Sequence, residues 1–298
     1  MEEDIDGAMM TKFKIYNPVK YLGDRYNIYF PNEETSTANF KTDLSGIDSD
    51  MFYKMDTYPR GRLIIINIKN FHPKTGLDEF PREGTEIDAR ELTRLFLALG
   101  FIVERFDDLN KKELKQVMTM ASYDDYSNMG ALICTFLTHG HENIIFATDE
   151  SIEIKKLTRL FRVSNLAGKP KIFIIQACQG SDYMNSLDKV DGITKTKPSS
   201  LPIEADFLLA YSTAKGFYSW RNSQTGSWFI QTLCSVFRKH AHNTDIIRML
   251  TKVNRIISER KSQTNITETH DRRQVSSTVS QFRKEFYFFP PFKESVKS

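Results

Sequence analysis

Apolar positions along this chain fall into two recurring patterns: short unbroken runs, and longer stretches with one apolar face at helical spacing. Leu63-Ile64-Ile65-Ile66-Asn67, Ala131 to Thr138 and Lys171-Ile172-Phe173-Ile174-Ile175-Gln176 are runs of strand length, as in strands covered on both faces. Phe101-Ile102-Val103-Glu104, Ile144 to Thr148 and Phe207-Leu208-Leu209-Ala210-Tyr211 read as further strands. Between them, Leu92, Leu95, Phe96 and Leu99 share one helical face, with Thr85 and Asp88 expected to open that helix as a capping box and Gly100 to end it. Helices are also predicted around Lys111 to Met120, around Glu153 to Phe161, after a Ser227 cap, and from Asn243-Thr244 onward. Glu285-Phe286-Tyr287-Phe288-Phe289 predicts a last strand, stopped by Pro290-Pro291. Strands and helices alternating in this order predict an α/β layer fold with a mainly parallel sheet.

Two stretches lie outside the periodic pattern. Residues 1 to about 50 are polar and aperiodic, which predicts a flexible pro-segment. The stretch Ser181 to Pro202, rich in Asp, Lys, Ser, Thr and Pro, predicts an exposed linker open to proteolysis.

Composition narrows the class. The chain has 298 residues, of which 40% are hydrophobic and 27% charged, enough for a full globular core. No run approaches the roughly 18 apolar residues of a membrane span, and the acidic start lacks a secretory pattern, so a cytoplasmic protein is expected. Cys134, Cys178 and Cys234 are too few and scattered for a disulfide framework, which implies reduced thiols. The net charge of +3 carries no basic block of the kind that binds nucleic acid. Asn265-Ile266-Thr267 matches a glycosylation sequon that, without a signal peptide, is read as chance.

The candidate chemistry sits where two strands end. One stops at Thr138-His139-Gly140 and another at Gln176-Ala177-Cys178-Gln179-Gly180. Ligands of open α/β sheets bind beyond the carboxyl ends of the strands, so His139 and Cys178 share a rim if those strands are neighbours. An imidazole that takes the thiol proton turns a weak nucleophile into a useful one. Glycines beside each group let backbone N–H groups face a ligand, as an oxyanion hole requires. The pair His139 and His141 with Glu142 beside it has no further ligand at a characteristic spacing for a metal site, and no metal or cofactor is expected.

Gln176-Ala177-Cys178-Gln179-Gly180 is similar to the nucleophile signature of the caspases, with the histidine upstream in the same order of elements. The resemblance spans roughly residues 51 to 292 through Tyr53-Lys54-Met55-Asp56, Arg82-Glu83-Gly84-Thr85, Gly168-Lys169-Pro170-Lys171, Glu204-Ala205-Asp206-Phe207 and Tyr218-Ser219-Trp220-Arg221-Asn222. It implies a caspase-like three-layer sandwich, its sheet flanked by helices on both faces, and an endopeptidase that cuts after aspartate. Cys178 would attack the scissile carbonyl and His139 would protonate the leaving amine. The N–H groups of Cys178 and Gly140 would hold the oxyanion, and a carbonyl near Phe80 would orient the histidine. Arg82, Arg221 and Gln176, with Ser219 beside them, would hold the substrate aspartate. Tyr218, Trp220 and Trp228 would line the upstream pockets, and Asn222 would bond the residue three positions before that aspartate.

The resemblance further implies a zymogen of executioner type acting in apoptosis. Its parts would be a large-subunit segment, 51–191, an interchain linker, 192–205, and a small-subunit segment, 206–298. Cleavage after Asp191 would separate the two, and the leader would be removed after Asp6, Asp48 or Asp50. Implied partners are a second copy of the same pair, protein substrates with exposed aspartate loops, an upstream initiator caspase and inhibitor-of-apoptosis proteins. Thr138, His141 and Gln179 depart from the commonest residues at their positions, and the polar loop Ser258 to Gln274 leaves the preference four residues upstream open. Two other readings stand beside this one. A catalytically silent decoy or regulator is disfavoured by the intact Cys178 and His139, and a basic-specific relative by the two arginines.

Overall fold

The computed structural model describes residues 13–16, 49–180, 205–264, 267 and 270–288. Its strands are β1 (Phe13–Tyr16), β2 (Gly61–Asn67), β3 (Phe101–Asp107), β4 (Ala131–Leu137), β5 (Gly140–His141), β6 (Ile144–Phe146), β7 (Ser151–Glu153), β8 (Lys171–Gln176), β9 (Phe207–Tyr211), β10 (Arg221–Asn222), β11 (Gly226–Ser227) and β12 (Ser277–Ser280). Helices are α1 (Thr85–Ala98), α2 (Lys111–Tyr123), α3 (Ile154–Thr158), α4 (Trp228–His240) and α5 (Ile246–Ser258). The main sheet has the order β1-β3-β2-β4-β8-β9-β12, with five parallel strands inside and antiparallel β1 and β12 at its edges.

Alternation along the buried strands divides the core in two. Leu63, Ile65, Ile133, Ile172 and Ile174 face α1, α4 and α5, while Ile64, Ile66, Cys134, Phe173 and Ile175 face α2 and α3. Both faces are therefore covered, which is why these strands read as continuous apolar runs rather than alternating ones. Each fully buried isoleucine contributes on the order of 2 kcal/mol of transfer free energy. No described helix is long and apolar enough to cross a membrane.

Local expectations failed where tertiary partners took over. Thr85 and Asp88 form no capping box: Gly84, at φ 84°, is the N-cap of α1 and no side chain caps it. The Thr85 hydroxyl instead donates to Asn67 Oδ1 at 2.6 Å, and Asp88 accepts from the Ser227 N–H at 2.9 Å. A capping box does form one helix later, between Asn110 and Glu113 of α2. The helix expected over Glu153 to Phe161 is split into β7, α3 and a 3₁₀ turn, Arg159–Phe161. Asp245, rather than Asn243 or Thr244, caps α5 by accepting from the Ile247 and Arg248 N–H groups.

The described part of Glu285-Phe286-Tyr287-Phe288 is not a strand. It makes one bridge, Glu285 to Phe52, and buries Phe288 against Phe96, Phe101 and Phe237, with the buried Phe286 edge-on to Phe288. The last strand is the polar β12, which pairs with β9 and has only one face toward the core. In the amino-terminal leader, β1 adds to β3 and stacks Phe13 on Phe106 at 4.6 Å, an element the sequence pattern did not predict.

Candidate active site

Strands β4 and β8 are parallel neighbours whose register pairs Leu137 with Gln176. His139 and Cys178 each follow that pair by two residues, so both leave the sheet at the same level of the same rim. A backbone bond joins the two exits, Thr138 N–H to Gln176 O at 3.2 Å, and Phe146 N–H to His139 O at 2.9 Å ties the histidine to β6. Gly140 is packed so tightly that a Cβ there would lie 2.8 Å from Ala177 Cβ and 3.0 Å from Cys178 O. Gly180 abuts Gly216 in the same way, with an added Cβ 2.2 Å from the Gly216 carbonyl carbon. The Cys178 turn is thereby pinned to the 214–218 segment, through Gln179 N–H to Phe217 O and Gly216 N–H to Gln179 O.

The His139 ring is fixed from two sides. Phe71 packs against it with ring centroids 4.9 Å apart, and Nε2 lies 2.8 Å from Phe80 O. A carbonyl oxygen can only accept, so Nε2 carries the proton and Nδ1 is the basic nitrogen of the neutral ring. Burial pushes its pKa down to about 4, aided by the positive charges of Arg82 and Arg221 and opposed by the Phe80 bond. The Cys178 thiol, half-buried, is pushed above its ordinary value by desolvation, against a backbone bond from Ser219 and the same two arginines. At neutral pH the pair is thiol and imidazole, not thiolate and imidazolium.

Arg82 is 2% exposed, the most deeply buried Lys or Arg among the described residues. Its guanidinium donates to Ile68 O at 3.2 Å and to Thr85 Oγ1 at 2.7 Å, both uncharged. Desolvation, and then repulsion from Arg221, lower its pKa to about 9, which leaves it protonated at neutral pH. Asp88, with its carboxylate on Ser227 N–H and Gln231 Nε2, supplies one negative charge nearby. Glu83 also acts on Arg221 but is paired with Lys69 at 3.0 Å, so Asp88 against the two guanidinium groups leaves a net positive pocket beside Cys178.

Gln176, at the end of β8, donates to Ser219 Oγ at 2.8 Å, while its buried Oε1 has no partner among the described residues. Trp220 and Trp228 pack with ring centroids 6.0 Å apart, and Arg260 sits over the Trp228 ring at 5.9 Å. Tyr218 is half-buried on the same segment. Asn222 Oδ1 accepts from the Gln224 and Thr225 N–H groups and closes the β10–β11 hairpin. Asp50 is exposed in a 3₁₀ turn, whereas Asp6, Asp48 and Asp191 lie outside the described residues. Cys134 and Cys234 are buried, their thiols raised by desolvation.

Asp88, Phe71 and Gln274 were not found from the sequence. Asp88 reads locally as a helix-start residue and Gln274 as part of a polar loop. Only their long-range partners, Ser227 and Trp220, reveal what they hold.

Residues 60–287 match the family model described as the caspase domain. Caspase-3 of Mesocricetus auratus is 44% identical over 250 residues, 82% of this chain and 90% of that protein. Caspase-3 of Mus musculus is 42% identical over the same span, and that of Oryctolagus cuniculus 41% over 264 residues, 87% and 95% of the two chains.

Proposed function

Because the chain belongs to the caspase family and is a cysteine-type endopeptidase, we propose that it is an executioner-type enzyme cutting protein substrates after aspartate, with Cys178 as nucleophile. The buried Arg82 beside Arg221 carries this reading. A substrate aspartate brings the second carboxylate that two guanidinium forks and Asp88 leave wanting. A neutral side chain there would leave a buried cation uncompensated, and such sites reject the wrong group by roughly 10⁴-fold.

The resting pair dictates the order of proton transfers. As Cys178 Sγ attacks the carbonyl, its proton passes to His139 Nδ1, and the imidazolium then gives that proton to the leaving amine. Phe80 O holds Nε2–H throughout, which keeps the ring from turning and stabilises the transient positive charge. The Cys178 and Gly140 N–H groups, brought together by the packing of Gly140 on Cys178 O, receive the oxyanion. Water then cleaves the thioester by the reverse sequence, with His139 as base. Gln176 and Ser219 support the aspartate carboxylate, Tyr218, Trp220 and Trp228 line the upstream pockets, and Asn222 bonds the substrate residue three positions before the aspartate.

The rest of the reading follows the family. The chain is made as a cytoplasmic zymogen in apoptosis, cut by an upstream initiator after Asp191 into segments 51–191 and 206–298 joined by linker 192–205, with leader 1–50 removed after Asp6, Asp48 or Asp50. It works as a homodimer of such pairs and is held in check by inhibitor-of-apoptosis proteins. The test is cleavage of fluorogenic tetrapeptides ending in Asp, Asn or Arg by the linker-cut protein and by Cys178→Ala. Cleavage after Asp alone, lost in the variant, is expected; inactivity of the cut wild type favours a silent regulator instead.

A further inference from the structure

Gln274 has no exposed surface, although it lies in a polar loop three residues before β12. Burying an amide is costly unless both ends are bonded, and both are. Its Oε1 accepts from Trp220 N–H at 2.8 Å. Its Nε2 donates to Ser212 O, just past the end of β9, at 2.5 Å and faces Ser219 Oγ at 3.4 Å.

Ser219 is thus held from the end of β8 and from the loop before β12. Gln176 Nε2 donates to its hydroxyl from the end of β8, and its backbone bonds Cys178. Ser212 Oγ ties the β9 end to Ala177 O at 3.1 Å, beside the nucleophile. Trp220 then leads directly into Arg221. Two buried glutamines, one on each side, therefore fix the segment that carries one of the two guanidinium groups.

We infer that Gln274 is a positioning residue for substrate selection: its side-chain amide anchors Ser219 and Trp220 to the sheet and so holds Arg221 beside Arg82, where a substrate carboxylate meets both. This rests on the aspartate-pocket reading given above. Arg221 binds the carboxylate in the ground state and the transition state alike, so loosening it weakens uniform binding. That appears in KM and spares kcat.

The test is steady-state cleavage of an Asp-ending tetrapeptide by the linker-cut wild type, Gln274→Met and Gln274→Glu, with active sites counted by iodoacetamide labelling of Cys178. Met removes every hydrogen bond; Glu keeps an oxygen toward Trp220 N–H but loses the donor to Ser212 O. KM rises about tenfold or more in both Gln274→Met and Gln274→Glu, with kcat per labelled site within about threefold of wild type. A merely structural residue would lower the number of labelled sites and leave KM where it was. An unchanged KM in whichever variant folds overturns the inference. Wild type that cuts no Asp peptide is a separate result, which removes the pocket reading and this inference with it.

Discussion

The imidazole of His139 and the carbonyl of Phe80, 59 residues apart in the chain, meet at 2.8 Å. That contact assigns the ring proton to Nε2, and burial holds the ring neutral down to about pH 4. The thiol beside it is held protonated beyond its ordinary value. A lowered imidazole pKa preserves the neutral base as pH falls, and a raised thiol pKa preserves the neutral nucleophile as pH rises.

The alkylation rate of Cys178 by iodoacetamide in the free protein therefore climbs with pH through 9.0 with no plateau at neutral pH. Iodoacetamide carries no carboxylate, so substrate titration does not intrude. A plateau from about pH 5 to 8, the mark of a thiolate–imidazolium pair, would contradict the assignment.

Arg82→Lys keeps the charge but not the fork that bridges Ile68 O, Thr85 Oγ1 and the incoming carboxylate. We expect kcat/KM on an Asp peptide to fall by about 100-fold or more, and the preference for Asp over Asn to shrink with it. Equal loss on both peptides would show that Arg82 supports the fold rather than the selection.

Asp206 joins three distant parts of the chain. Tyr53 OH donates to it at 2.8 Å and Arg283 binds it through two nitrogens, which together hold its carboxyl below the usual range despite desolvation. In the proposed processing Asp206 would open the small-subunit segment, and the Tyr53 bond would help keep that segment on the body after linker cleavage. Tyr53→Phe lowers the free energy of unfolding by about 1 kcal/mol, read from a shifted urea midpoint at constant slope. Faster dissociation of the cut chains should accompany it; an unchanged midpoint would mean the contact is not formed in solution.

Much of this was legible before any coordinates. The unbroken apolar runs of β2, β4 and β8 identify strands buried on both faces, and the residues where two of them stop, His139 and Cys178, are the ones proposed to react. What the pattern hides is tertiary. Thr85 and Asp88 have the spacing of a capping box, but their side chains serve Asn67 and Ser227, the latter 139 residues away. Phe286 and Phe288 alternate like a strand because alternate side chains enter the aromatic core, yet their backbone finds almost no ladder. Polar β12 is an edge strand with one face in water, so it lacks the apolar run that marked the others. Gln274 carries no local signal, since its role consists of three partners from two distant segments.

The central claim is that Cys178 attacks a carbonyl presented by an aspartate seated between Arg82 and Arg221. Intact-mass measurement after incubation with peptidyl fluoromethyl ketones tests it directly. Cys178 Sγ forms a bond to the methylene carbon and fluoride leaves, so each reaction adds one peptidyl ketone. The account predicts a single adduct on Cys178 with the aspartyl reagent, and none with the lysyl reagent or with Cys178→Ala. Equal labelling by both reagents, or labelling that persists in Cys178→Ala, would contradict it.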